Sequence, residues 1–183
     1  MQGEIEIIRG IQSVFSTPFA QGFVVFCARW MIFVFAGLAA LTSFSKRRQS
    51  LRHAAYEAAW AGLLALVVAL LLGIAIGRVR PFAASSEVLR LIPPPASTYS
   101  FPSGHTSVAF AIAAALAYGD ISLGLLAFGV AWFVAFGRIA AGVHYPSDIL
   151  AGIVVGFICF ALVRFFHRAL RRKDLKKVDL PKT

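Results

Sequence analysis

The chain has 183 residues, of which 59% are hydrophobic, and its mean hydropathy is +0.78. Soluble domains are closer to half apolar, so this composition excludes an ordinary soluble domain and indicates a membrane protein with one domain. The net charge of +10 would suggest nucleic-acid binding in a soluble protein. Here the basic residues flank apolar segments, which is typical of topology signals, so we expect membrane lipids as partners and no nucleic acid.

The first predicted element is an amphipathic helix over residues 4–15. Its apolar side chains recur at helical spacing, so we expect it to lie in the membrane interface. Five apolar segments follow, each close to the length that crosses a bilayer, although the third is short. They are residues 22–41, 54–77, 103–118, 121–138 and 147–166. The sequence therefore predicts an all-α integral membrane helical bundle. A single domain covers residues 1–170, and residues 171–183 form a basic tail that we expect to be disordered.

Two basic segments predict the orientation of the bundle. One is the loop SKRRQSLRH after the first span, and the other is RFFHRALRRKDLKK at the end of the fifth. Five alternating spans place both segments on the same side, and positive charge favours the cytoplasm. We therefore expect a cytoplasmic C-terminus. The loops 78–102 and 138–148, which carry most of the remaining polar residues, then lie on the outer side.

The outer loops contain three short motifs, which read GRVRPF (77–82), PSGH (102–105) and GRIAAGVHYPSD (137–148). In the second, Pro102 suits a helix start because its missing N–H is not needed there. Ser103 and Gly104 would present free backbone N–H groups at that start, where the helix dipole favours an anion. The motif is typical of half an oxyanion cradle. The alternative is a simple helix start with a chance histidine at His105.

In the third motif, His144 and Asp148 are four residues apart, which places side chains on one helix face. Pro146 would begin the fifth span, so this spacing is only approximate at His144. A carboxylate can hold one imidazole nitrogen and leave the other nucleophilic. Arg138, six residues earlier, can grip phosphate oxygens in a bidentate way. The alternative is that Arg138 and Asp148 are interface anchors and His144 is an ordinary loop residue.

Together the three motifs resemble the type-2 phosphatidic acid phosphatase superfamily of membrane lipid phosphatases. The resemblance covers about residues 66–160. The matching residues are Arg80-Pro81, Pro102-Ser103-Gly104-His105, Arg138, His144 and Asp148. The chain departs from the family pattern at Gly73, where a lysine is usual, and at Gly137, where a serine is usual. Another cation would have to replace the lysine, and Arg78 and Arg29 are the candidates. Arg29 could instead extend its charge to the membrane surface.

The resemblance implies a mechanism without metal or other cofactor. His144 would attack phosphorus and form a phosphohistidine, and Asp148 would orient it. His105 would protonate the leaving oxygen. The phosphate oxygens would be held by Arg80, Arg138 and the backbone of Ser103 and Gly104.

The short chain, the five spans and the run Leu-Ile-Pro…Ser-Phe-Pro-Ser resemble one branch of the superfamily, the small undecaprenyl diphosphate phosphatases of the bacitracin-resistance type. This implies a site on the outer face of a bacterial inner membrane. The sequence does not show how many phosphates the substrate carries, so phosphatidylglycerophosphate, phosphatidic acid and lipid A remain alternative substrates. The vanadium haloperoxidases share the motifs but are soluble. A haem-binding bundle using His105 and His144 stays open, as does a transporter or non-catalytic lipid-binding protein.

Overall fold

The computed structural model describes residues 2–44, 49–93 and 99–178, with side chains up to residue 170. Secondary structure in these residues is almost entirely helical. The helices are α1 (Gln2–Val14), α2 (Pro18–Val25), a π-helical turn (Phe26–Trp30), α3 (Met31–Leu41), a 3₁₀ turn (Thr42–Phe44), α4 (Gln49–Ile76), α5 (Pro81–Ala84), α6 (Gly104–Gly119), α7 (Ile121–Ala140) and α8 (Pro146–Val178).

The predicted all-α membrane bundle is confirmed. Within the described ranges, four helical segments are long and apolar enough to cross a membrane, and they are Pro18–Phe44, Gln49–Ile76, Ile121–Ala140 and Pro146–Leu170. The third predicted span corresponds to the shorter apolar helix α6. The first span is interrupted by the π-helical turn, and it begins where Pro18 follows Thr17, whose hydroxyl accepts a hydrogen bond from the Ala20 N–H.

Helix α8 continues to Val178, so the prediction of a disordered tail from residue 171 is wrong as far as residue 178. The reason is local, because this stretch consists mainly of Arg, Lys and Leu, which are good helix formers. Three parts of these predictions lie outside the described part of the chain. They are residues 45–48 of the predicted basic loop SKRRQSLRH, the prolines at 94 and 95, and residues 179–183.

Helix α6 lies at the centre of the bundle and packs against α4, α7 and α8. Every residue from Ala109 to Leu116 is buried, and most of them are alanines. Small side chains allow helices to approach closely in a membrane. The approach is close near Gly152 of α8, where a Cβ would lie only 2.9 Å from the carbonyl oxygen of Ser103. The start of α6 is therefore held tightly against the start of α8.

Helix α1 is attached to the same end of the bundle by its own side chains. Gln12 is buried; its Nε2 donates to the carbonyls of Leu89 and Ala140 at 2.7 and 3.0 Å, and its Oε1 accepts from the Leu89 N–H at 3.0 Å. Ile8 is fully buried and packs in a cluster with Val88 and Tyr145. The apolar face that the sequence assigns to the membrane interface therefore contacts protein along much of its length.

Candidate active site

Two loops meet at the end of the bundle that α1 covers. The first follows α4 and returns along itself, with an isolated antiparallel bridge between Val79 and Tyr99 and a hydrogen bond from the Ser100 N–H to the Arg78 carbonyl. The second joins α7 to α8. It turns at Gly142, where φ is +73° and a Cβ would lie 2.2 Å from the Leu89 carbonyl oxygen, so this position requires glycine.

The loops and helices enclose a cavity of about 220 Å³. Its polar lining consists of Arg80, His105, Arg138 and His144, which come from three different motifs. The remaining lining residues are Leu66, Ala69, Leu70, Gly73, Tyr99, Phe101, Pro102 and Gly104. The fold therefore brings four of the predicted polar site residues to one small chamber with a largely apolar wall.

The imidazole of His144 is held in one orientation by the backbone. Its Nδ1 lies 2.7 Å from the carbonyl oxygen of Ser100. A carbonyl can only accept a hydrogen bond, so Nδ1 carries the proton and Nε2 keeps its lone pair. The Nε2 atom lies 3.3 Å from Nη1 of Arg80 and 3.5 Å from Nη2 of Arg138. Burial, reinforced by these two cations, lowers the pKa of His144 to about 4, so the ring is neutral at physiological pH.

Asp148 does not make the direct hydrogen bond to His144 that the sequence predicts. Its Oδ2 lies 3.6 Å from Nδ1, beyond hydrogen-bond distance, and instead accepts from the Tyr145 N–H at 2.8 Å. Asp148 is fully buried, and its charge still lies beside the ring. Sequence reasoning missed Ser100 because its acceptor is a backbone carbonyl, which any residue supplies.

Two buried guanidinium groups face the cavity. Nη1 of Arg80 donates to the Val143 carbonyl at 2.9 Å, and Nη1 of Arg138 donates to the Ala28 carbonyl at 2.8 Å. Both arginines are almost completely buried. Burial lowers the pKa of Arg80 to about 10, which leaves it cationic at neutral pH. Two fixed cations beside a neutral imidazole create a site for an anion with several oxygens.

The predicted cradle at the start of α6 is only half supported. Gly104 lines the cavity, and as the first residue of α6 its N–H is not needed by the helix. The N–H of Ser103, however, donates to the backbone carbonyl of Asp148 at 3.0 Å, and its hydroxyl accepts from Thr106. Ser103 is therefore not the free donor that the sequence predicts, since it joins α6 to α8.

Neither candidate for replacing the family lysine reaches the cavity. Arg78 is directed toward Glu4, Ser147 and Asp148. Arg29 is exposed in the π-helical turn, with its guanidinium 5.4 Å from the centre of the Trp30 ring. Both expectations of phosphate binding are therefore corrected. The lysine position lines the cavity as a bare backbone, where a Cβ on Gly73 would meet the Phe101 carbonyl oxygen at an ordinary 3.4 Å.

Among the described residues, no group of three or more His, Cys, Asp or Glu side chains is placed to hold a metal ion. His105 and His144 share the cavity, but a haem between them would have to displace the arginines that approach Nε2 of His144. The geometry thus describes a membrane-protein site for an anionic group with a histidine nitrogen in its wall.

Residues 54–172 match the PAP2 superfamily, and the chain belongs to this family. It is therefore an integral membrane lipid phosphatase. The chain is 33% identical over 150 residues to "Undecaprenyl-diphosphatase BcrC" of Bacillus subtilis, covering 81% of this chain and 75% of that protein. It is 31% identical over 87 residues to "Phosphatidylglycerophosphatase B" of the same organism, covering 42% and 43%. The crystal structure of Aquifex aeolicus LpxE superposes with a TM-score of 0.67 at 25% identity, covering 86% of this chain and 92% of that one.

Proposed function

We propose that this phosphatase hydrolyses undecaprenyl diphosphate to undecaprenyl phosphate and inorganic phosphate, through a phosphohistidine intermediate on His144. The single observation that carries the mechanism is the environment of that ring. Its Nδ1–H is held by the Ser100 carbonyl, and its Nε2 lies between Arg80 and Arg138. A neutral imidazole with a lone pair directed at bound phosphate is the required nucleophile.

In the first step Nε2 of His144 attacks the terminal phosphorus. A P–N bond forms while the P–O bond to the lipid phosphate breaks. Burial and the nearby cations lower the pKa of His105, so it takes up a proton from the partly protonated diphosphate as that anion binds. His105 then donates this proton to the leaving oxygen, and undecaprenyl phosphate departs. Arg80, Arg138 and the Gly104 N–H hold the three oxygens on which negative charge is spread in the transition state.

In the second step water attacks the phosphohistidine. The P–N bond breaks, the Nε2 lone pair is restored, and inorganic phosphate is released. His105, now neutral, takes a proton from the attacking water. Asp148, whose carboxylate lies beside the ring, stabilises the positive charge that the imidazole carries in the intermediate.

The apolar wall of the cavity supports a lipid substrate with a long tail. Leu66 and Leu70 of α4 line the cavity and are also about half exposed on the outside of the bundle. A tail leaving the cavity over these residues would enter the bilayer directly. The similarity to a B. subtilis undecaprenyl-diphosphatase favours a polyprenyl tail. The similarity to a B. subtilis protein favours a bacterial inner membrane, and the two basic segments favour a cytoplasmic C-terminus with this site on the outer face.

Phosphatidylglycerophosphate is the second candidate, supported by the similarity to a phosphatidylglycerophosphatase. The purified protein in detergent with EDTA would be assayed for phosphate release from undecaprenyl diphosphate, phosphatidylglycerophosphate and phosphatidic acid, with His144→Ala as the blank. We expect fastest release from undecaprenyl diphosphate and none from the variant. Activity retained by His144→Ala would contradict the nucleophile, and a preference for another lipid would contradict the substrate.

A further inference from the structure

A network of charged side chains contacts the loop that joins α7 to α8, and neither Glu4 nor Arg78 of this network lines the cavity. It begins at Glu4 of α1, whose Oε2 accepts from Nη2 of Arg78 at 2.8 Å and whose Oε1 accepts from the Ser147 N–H at 2.9 Å. Burial raises the pKa of Glu4, but the hydrogen bonds from Ser147 and Arg78 outweigh it, so the net pKa is lowered and Glu4 is anionic. Helix α1 thus places a fixed negative charge at the start of α8.

Arg78 joins this charge to the site. Its Nη1 donates to Oδ1 of Asp148 at 2.7 Å and to Oγ of Ser147 at 2.6 Å, while Nη2 bonds Glu4. The guanidinium carbon lies 4.0 Å from the centre of the Tyr145 ring. A guanidinium with three acceptors and an aromatic face has a single orientation, which a lysine ammonium would not reproduce.

We infer that Glu4 and Arg78 are positioning residues, which hold Asp148 and the Tyr145–Ser147 turn in place next to His144. They thereby support the ring orientation that the Ser100 carbonyl selects. The inference rests on the proposed function, because it assumes that His144 is the nucleophile. Without Arg78, the buried Asp148 carboxylate would lose the cation that bonds its Oδ1. Its Oδ1 would then be able to turn toward the arginines of the cavity, with Oδ2 still accepting from the Tyr145 N–H.

Helix α1 offers a matched control. Arg9 and Glu87 form a second ion pair between α1 and the loop after α5, at 2.9 Å, but both side chains are more than half exposed. Exposed pairs contribute little to stability. Breaking this pair loosens the same helix at a point with no contact to Asp148, whereas the Glu4–Arg78 pair is about one-fifth exposed and connects directly to it.

The test compares Arg78→Gln, Glu4→Gln and Arg9→Gln with wild type, on the lipid that wild type hydrolyses fastest. A misplacement of about 1 Å in a reacting group can cost about 10²-fold in rate. We expect Arg78→Gln to lower kcat by about 10²-fold and Glu4→Gln by about tenfold, with KM changed less than about threefold. Arg9→Gln should leave both constants unchanged. Since Arg78 acts through Asp148, adding Arg78→Gln to Asp148→Asn should cause little further loss.

Several results would overturn the inference. A raised KM with unchanged kcat in Arg78→Gln would make Arg78 a phosphate contact. If Arg9→Gln lowered kcat as much as Arg78→Gln does, the network would be a general support of the fold. The same would follow if the losses of kcat multiplied in the double variant of Arg78→Gln and Asp148→Asn. If wild type is active, His144→Ala is inactive and Arg78→Gln is fully active, the positioning role is rejected and the proposed function stands. A wild type inactive on every lipid would reject the proposed function, and the inference with it.

Discussion

Substitution of Arg138 by methionine separates two effects of this residue. One is what the buried charge costs the stability of the fold, and the other is what it contributes to catalysis. The guanidinium nitrogens of Arg80 and Arg138 lie 3.3 and 3.5 Å from the same atom, Nε2 of His144. They are therefore at most about 7 Å apart, where two unit charges repel by about 2 kcal/mol at an effective dielectric constant of about 20. Burial of Arg138 adds a desolvation cost. Arg138→Met removes both costs, loses the bond to Ala28, and keeps the volume of the stem.

We expect the melting temperature of Arg138→Met in detergent to be equal to that of wild type or a few degrees higher. Its kcat/KM should fall by about 10²–10³-fold, because a preorganised charge facing the transition state is lost. Inorganic phosphate at about ten times its Kd should stabilise wild type by about 1.4 kcal/mol and the variant by much less. Thermal melts with and without phosphate measure the melting temperature and its shift by phosphate, and an assay of phosphate release measures kcat/KM.

The matched control is Arg164→Met at the other end of the bundle. Arg164 contacts the buried Glu57 at 2.5 Å, and His167 is the second partner of that carboxylate. Removing one partner of a buried ion pair costs about 3–5 kcal/mol, so this variant should melt roughly 10 °C lower, with the phosphate shift intact. A melting temperature of Arg138→Met as low as that of Arg164→Met would contradict this prediction. So would a phosphate shift in Arg138→Met as large as in wild type.

Two further predictions concern packing and pH. Gly152→Ala places a Cβ 2.9 Å from the Ser103 carbonyl oxygen and must shift the start of α6, so we expect kcat to fall about tenfold. Gly129→Ala, where a Cβ meets nothing within 4 Å, should behave as wild type in the same assay. Burial holds the pKa of His144 near 4, so as pH falls below about 6.5 the unfolded chain binds the proton first, and stability drops by about 2 kcal/mol by about pH 5. Melting at about pH 7.5 and pH 5 should show a smaller drop for His144→Gln, and equal drops would contradict the assigned pKa.

Much of the site was predictable because its residues occur in short motifs at loop–helix junctions. Arg80, His105, Arg138 and His144, which belong to three separate motifs, all line one cavity. Their chemistry is distinctive, and the alternation of spans places both polar loops on the same side of the membrane. The bundle was predictable for the same kind of reason, since apolar segments of bilayer length have few other folds available.

The rest depended on orientation and on backbone atoms, which leave no pattern in the sequence. Whether Arg29 faces the cavity or the lipid depends on the rotation of the first span, which packing decides. The acceptor for His144 is a carbonyl that the bridge between Val79 and Tyr99 brings into place. The sequence alone therefore determined which charged and imidazole side chains meet at the cavity. Only the tertiary structure decided that Arg78 faces Asp148, because the direction of a side chain depends on residues distant along the chain.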